Sequence, residues 1–200
     1  MAIGRHIYKE LHENKINTFL ETANAWGVFV MGSTFVLMIA SIYVVYVLHT
    51  DFEQASRIQG VKKEANVSLY LDGKKECEIY GDVLFTKYGV SGFAILDISQ
   101  YAVYPLSLYQ DVQISINLFP TINRNEVLGM IESLFNSIPN EKVVNLLIGI
   151  ISNNLSPVLL DICKIDKDSY AKDINAKQIR ALVNALTNWR MKITDTQGFK

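Results

Sequence analysis

The sequence predicts an α+β fold: one N-terminal transmembrane helix, then a small antiparallel β-sheet or barrel, then a four-helix subdomain. Three observations support this prediction. The run Trp26–Leu48 is almost wholly apolar, the following residues alternate between apolar and polar side chains, and apolar residues recur at helical spacing from Asn123 onward. We divide the chain into an amphipathic segment (1–25), the transmembrane helix (26–48), a connector (49–65), a β-rich domain (66–120), a helical subdomain (121–191) and a final strand (192–200).

Composition limits the classes of partner. The 200 residues carry a net charge of −1, which does not favour a nucleic-acid-binding surface or a polybasic membrane patch. The two cysteines, Cys77 and Cys163, lie in different predicted elements without nearby histidines, so they predict neither a disulfide framework nor a zinc site. We therefore expect no nucleic-acid partner and no metal.

The apolar run near the N-terminus predicts a single membrane span. No residue from Thr22 to Thr50 is charged if His49 is neutral, and 23 helical residues span about 34 Å. A secretory signal is disfavoured because its apolar region is usually about 7–15 residues long. A buried core helix remains the alternative, and basic residues on both sides leave the orientation undecided.

The middle of the chain predicts strands. Residues 67–71 alternate at a period of two, and Asp72-Gly73 favours a tight hairpin. The return strand is expected at about Lys75–Tyr80, a further strand at Val83–Thr86, and a later one from Val112 to Leu118, before Pro120.

A glycine-rich turn follows Phe85 and leads into a predicted helix. Gly89, Ser91 and Gly92 are candidate cofactor-binding residues, because free backbone N–H groups at such a turn can hold a phosphate or another anion. The alternative is that the glycines serve only backbone geometry, and it is favoured because no phosphate-loop lysine or full dinucleotide-binding fingerprint accompanies them.

Four helices are predicted after Pro120. Asn123 and Glu126 have the spacing of a capping box for the first, which Pro139-Asn140 ends. The second covers Glu141–Ser152, the third begins with Ser156 as cap and Pro157 as first helical residue, and the fourth begins near Asn175. Its predicted buried residues are Ile179, Leu182, Val183, Leu186 and Trp189.

Several motifs in this order resemble one family. The strings V-S-L-Y-L-D-G-K-K from Val67, G-D-V-L-F-T-K-Y-G-V-S-G-F-A-I-L from Gly81 and K-I-T-D-T-Q-G-F from Lys192 are similar to segments of the aminoacetone-oxidase-like, BaiN-type FAD-dependent oxidoreductases. The resemblance covers about residues 58–200, the inserted domains of that family. Lys87 stands where the family usually has His, Phe93 where it has Pro, and Asp195 where it has Gly.

The resemblance implies a partial or truncated member of an FAD-dependent oxidoreductase family. Both halves of the flavin-binding domain lie outside the resemblance, so we expect no autonomous catalysis, no catalytic residue of its own and no FAD bound by this chain alone. The final strand would return toward that domain, and the soluble part would be cytoplasmic. The alternative function is a membrane-tethered, non-catalytic module that docks on a separate flavin domain or another protein. A gene remnant, a fusion or an incomplete sequence is the third possibility.

Overall fold

The computed structural model describes residues 48–196, which belong to the compact unit Val45–Lys200. These residues form six strands and five α-helices, with 3-10 turns at Ala55–Ile58 and Ala171–Asp173. The strands are β1 (Leu48–Thr50), β2 (Lys62–Leu71), β3 (Lys74–Thr86), β4 (Gly89–Ser91), β5 (Val112–Asn117) and β6 (Trp189–Thr196). The helices are α1 (Phe93–Ser107), α2 (Arg124–Ser137), α3 (Val143–Ile148), α4 (Leu155–Ile162) and α5 (Ala176–Thr187).

The strands form a closed antiparallel barrel in the order β1-β4-β3-β2-β5-β6, and β6 pairs back onto β1. Strands β2 and β3 are joined by Asp72 and Gly73, whose φ angles of 48° and 79° are those of a hairpin with positive φ at both central residues. The predicted hairpin is therefore confirmed. The predicted strands Lys75–Tyr80 and Val83–Thr86 are both parts of β3.

Apolar residues from the alternating positions fill the barrel. Leu69, Phe85, Ile114 and Ile116 are almost completely buried. Trp189 stacks on Phe85 with ring centroids 5.3 Å apart. Each such side chain contributes about 1.5–3 kcal/mol when it is fully removed from water, so the alternating pattern is the main determinant of the barrel.

The helices after β5 pack together and against the barrel. The capping box predicted for α2 is confirmed, since Asn123 accepts from the backbone N–H of Glu126 and the Glu126 carboxylate accepts from that of Asn123. Helix α3 is shorter than predicted and ends before Gly149. Helix α4 begins at Leu155, before the predicted cap Ser156, and holds Pro157 in its first turn, where a missing N–H breaks no helical hydrogen bond.

The last helix is shorter than predicted, and the last strand begins at Trp189, three residues before the predicted start. Helix α5 ends at Thr187, and Asn188, with φ −154° and ψ 53°, leaves the helical conformation. Leu182, Val183 and Leu186 are buried as predicted, whereas Trp189 opens β6. The indole is buried in the barrel, which explains why it fits the apolar pattern of the preceding helix without belonging to it.

The predicted transmembrane helix requires a correction, and with it the fold class and the single-pass membrane localisation. Between residues 48 and 196, no helix is long and apolar enough to cross a membrane. Leu48, the predicted last residue of the span, lies in β1, where it is buried and pairs with Val90. At this end of the apolar run, the Leu48 side chain is therefore part of the barrel core. Residues 26–47 lie outside the described part of the chain, as does the amphipathic segment 1–25.

Candidate functional site

The three predicted site residues lie together at one edge of the barrel. Gly89 and Ser91 are in β4, which runs between β1 and β3, and Gly92 is the N-cap of α1. No side chain caps this helix, whose first backbone bond runs from Leu96 N–H to the Gly92 carbonyl oxygen at 2.9 Å. We name Thr86–Gly92 together with His49 and Thr50 the glycine edge.

Backbone packing explains both glycines. A Cβ at position 89 would lie 2.0 Å from the carbonyl oxygen of Leu48, and one at position 92 would lie 2.3 Å from that of Asp82. Gly92 also has φ 104°, a conformation that residues with a Cβ rarely adopt. Gly89 therefore allows β1 to approach β4 closely, and Gly92 allows the start of α1 to approach β3. Their role in cofactor binding stays a prediction, as does that of Ser91, which is buried.

The most informative atoms of this edge belong to residues that the sequence did not single out. His49 Nε2, Thr50 Oγ1 and Thr86 Oγ1 are buried, and none of them has a hydrogen-bond partner within the described chain. His49 and Thr86 both pair with Gly89, so they flank this glycine from the two neighbouring strands. A buried polar atom without a partner costs about 1–3 kcal/mol, so a cluster of three points to a missing partner.

Two side chains complete the edge. The Tyr88 ring stacks on His49 with centroids 5.9 Å apart, and Lys87 Nζ lies 5.1 Å from the centroid of Tyr88. Nearby, the Asp82 carboxylate is paired with Lys62 at 2.8 Å. The edge thus offers an imidazole, two hydroxyl groups and an ammonium group, which together suit a ligand carrying both hydrogen-bond acceptors and negative charge.

Only the topology brings these residues together. His49 lies in the three-residue strand β1 after the long apolar run, Thr86 ends β3 far away in sequence, and both strands pair with β4. Strands this short carry no readable alternation, so the pattern of the sequence contained no signal for the pairing.

Both ends of the barrel also meet at the glycine edge. Leu48, the first residue of β1, pairs with Val90 of β4 on one side and with Thr196 of β6 on the other. The chain therefore enters and leaves the barrel at adjacent points. Ends that lie close together are common in compact domains.

The comparison with known families agrees with this architecture. The family described as "HI0933-like protein barrel and H2TH domain" matches residues 44–200, and this chain belongs to that family. The barrel and the helices after it are the parts which that description names.

Two curated proteins are similar to this chain. The 3-dehydro-bile acid delta(4,6)-reductase of Clostridium scindens is 24% identical over 169 residues, which cover 84% of this chain and 41% of that protein. The ribosomal RNA dihydrouridine synthase of Escherichia coli K12 is 31% identical over 120 residues, covering 60% of this chain and 27% of that protein. The chain thus spans less than half the length of each relative.

Proposed function

We propose that this chain supplies the barrel and helical part of an FAD-dependent oxidoreductase, and that its glycine edge contacts the flavin-binding part. The observation that supports this proposal best is the position of the three unpartnered polar atoms. They lie where the barrel begins and ends, which is where a host or partner domain would adjoin it. Of the two curated relatives, one is named as a reductase and the other as a dihydrouridine synthase.

The residues of the glycine edge fit FAD chemically. A flavin nucleotide has ring carbonyl and N–H groups, hydroxyls and phosphates, and therefore needs both donors and acceptors. His49 Nε2 and the hydroxyl of Thr86 can each donate or accept, and Lys87 adds a positive charge. Bound FAD would accept and donate a hydride. The residues of this chain would hold its polar groups and exclude water.

A protein surface continues from this edge along α1. Helix α1 begins at Phe93, directly after Gly92, and exposes Phe93 (72%) and Tyr104 (71%), while Tyr109 just beyond its end is 98% exposed. Asp97 is the one charged residue within the helix. An exposed face this rich in aromatic side chains and poor in charge is typical of a protein interface. It supports a contact with a flavin-binding domain, whether in the same polypeptide or a separate one.

A non-catalytic docking role is the second candidate, and the same surface supports it. In that case the chain would bind a partner through the glycine edge and α1 without contributing to a reaction. The two candidates differ in whether flavin accompanies the folded protein.

The test is to tag the protein in its native host, purify it under mild conditions and identify the released flavin and every associated polypeptide segment. We expect FAD together with a segment that carries a dinucleotide-binding fingerprint. The variant Thr86→Val should retain less FAD, while Thr121→Val, an exposed threonine away from the edge, should not. A stable complex without flavin would support the docking role. Folded protein with neither flavin nor a partner, even after FAD is added, would refute both.

A further inference from the structure

A concave surface, separate from the glycine edge, lies where the helices meet the barrel. It consists of two cavities, of about 420 Å³ and 310 Å³, which share Phe52, Ile162 and Arg190 and so form one groove. We name it the seam groove: its walls are the loop 51–54, the end of α4, one face of α5 and the start of β6. The larger cavity falls within the range of about 300–1,000 Å³ that small-molecule sites occupy.

Helix α5 presents a distinct face to this groove. Ala181, Asn184 and Ala185 follow the spacing i, i+3 and i+4, which places them on one side of the helix, and Asn188 lines the same cavity just beyond the helix end. The opposite side, with Leu182, Val183 and Leu186, is buried in the core. Two alanines leave room for a ligand, and two carboxamides offer donors and acceptors. Asn188 Oδ1 accepts from Ser115 Oγ at 2.6 Å, which fixes that amide and keeps its N–H groups as donors.

The other residues of the larger cavity are mainly apolar and aromatic. Phe52 meets Trp189 edge-on with ring centroids 5.2 Å apart, and both line the larger cavity. Cys163 also lines it, and burial raises the pKa of its thiol to about 11, so this side chain is neutral at physiological pH. The groove can therefore accept a flat apolar body against these aromatic side chains and the alanines of α5.

The two cavities of the groove differ in the charged residues that line them. Arg190 lines both cavities, and its guanidinium lies 4.3 Å from the centroid of the Tyr70 ring. None of the ion pairs within residues 48–196 includes Arg190, and no acidic residue of this range lines the larger cavity. The acids Asp51 and Glu53 line only the smaller one. An anionic group in the larger cavity would thus be attracted to Arg190, which lies where the two cavities meet.

We propose that the seam groove binds a small organic anion with a flat, largely apolar body, and that the acidic group of this ligand pairs with Arg190. The body would lie against Phe52 and Trp189, and the carboxamides of Asn184 and Asn188 would bind its polar edge. This site is separate from the glycine edge and does not depend on the proposed oxidoreductase role.

The probe is 1-anilinonaphthalene-8-sulfonate, compared with N-phenyl-1-naphthylamine, which has the same rings without the charge. The full chain with Trp26→Phe retains Trp189 as its one tryptophan, so quenching of its emission reports dye bound in the surroundings of Trp189, and the variants assign that binding to the groove. We expect the sulfonate to quench Trp189. Arg190→Gln should weaken sulfonate binding by about tenfold and change binding of the neutral dye by less than about twofold, since a hydrogen bond to a charged group is lost only for the former.

Two further variants make the result decisive. Arg124→Gln removes an exposed arginine of α2 that does not line the groove, and it should leave both dyes unaffected. Ala181→Phe should fill the groove without adding a tryptophan and should weaken both dyes, with circular dichroism to verify the fold. The proposal is overturned if Arg190→Gln and Arg124→Gln bind the sulfonate equally well, or if the dye leaves Trp189 emission unchanged.

Discussion

Replacing Gly89 by alanine tests whether β1 closes the barrel as described. The added Cβ would lie 2.0 Å from the Leu48 carbonyl oxygen and 3.0 Å from His49 Cα, so β1 has to move away by about 1 Å. Strand β1 contacts β4 through two register pairs, and Thr50 N–H donates to the Tyr88 carbonyl oxygen at 3.1 Å. A shift of this size takes such bonds beyond the usual range of about 2.7–3.2 Å.

The expected loss follows from these bonds. Two or three backbone hydrogen bonds at about 1 kcal/mol each, with further loosening around Leu48, lower the free energy of unfolding by about 3 kcal/mol. Gly129→Ala is the matched control, because its Cβ would meet no atom within 4 Å in the middle of α2. Helix propensity predicts that this change stabilises the protein by about 0.5–1 kcal/mol.

The assay is urea denaturation in the Trp26→Phe background, followed by Trp189 fluorescence, because the indole is buried in the barrel against Phe85. The reasoning is refuted if Gly89→Ala unfolds within about 0.5 kcal/mol of the parent, the usual spread for a neutral surface change. The close approach of β1 to β4 would then be wrong.

Three more predictions concern individual side chains. Thr86→Val should raise the free energy of unfolding by about 1 kcal/mol in urea denaturation, because it removes a buried hydroxyl without a partner in the described chain. Thr187→Val is the control: it loses a hydrogen bond to the Val183 carbonyl oxygen and should not stabilise the protein. Asn175→Ala should cost about 1 kcal/mol in the same assay, since it removes the capping box of α5. The Lys75 ammonium, more than the Ser68 hydroxyl, holds the pKa of Glu78 below its usual value, so Lys75→Met should raise that pKa in an NMR titration. Because the pKa is lowered in the folded state, the stabilisation is present at neutral pH and is lost as the pH falls through the folded-state value.

Local chemistry made part of the fold predictable. Asp72-Gly73 has few conformations besides the hairpin turn, and Asn123 with Glu126 satisfies the exposed N–H groups at a helix start, so both features followed from a few adjacent residues. Features that depend on tertiary contacts were misjudged. Trp189 continues the apolar spacing of α5, yet its burial against Phe85 and Phe52 places it at the start of β6.

The same limit explains the error at the end of the apolar run. Leu48 is as apolar as a membrane-spanning residue, and only its pairing with Val90 and Thr196 identifies it as part of a barrel strand. A three-residue strand is stabilised by its two neighbours and not by its own pattern. The proximity of His49 and Thr86 depends on that strand, and the sequence pattern therefore could not predict it.

The polar atoms of the barrel support a functional explanation of the glycine edge. Other buried hydroxyls have partners: Ser99 donates to the carbonyl oxygen of Leu96 in its own helix, Ser156 donates to that of Ser152, and Ser115 donates to Asn188. The described atoms without partners, in contrast, come from Thr50, Thr86 and His49, within two short stretches of chain that adjoin Gly89. Imperfect packing would scatter such atoms over the fold, whereas a missing ligand or domain would concentrate them at its contact surface. The two explanations differ in their consequence for Thr86→Val: both predict a gain in stability, but only a contact surface also predicts a loss of bound flavin.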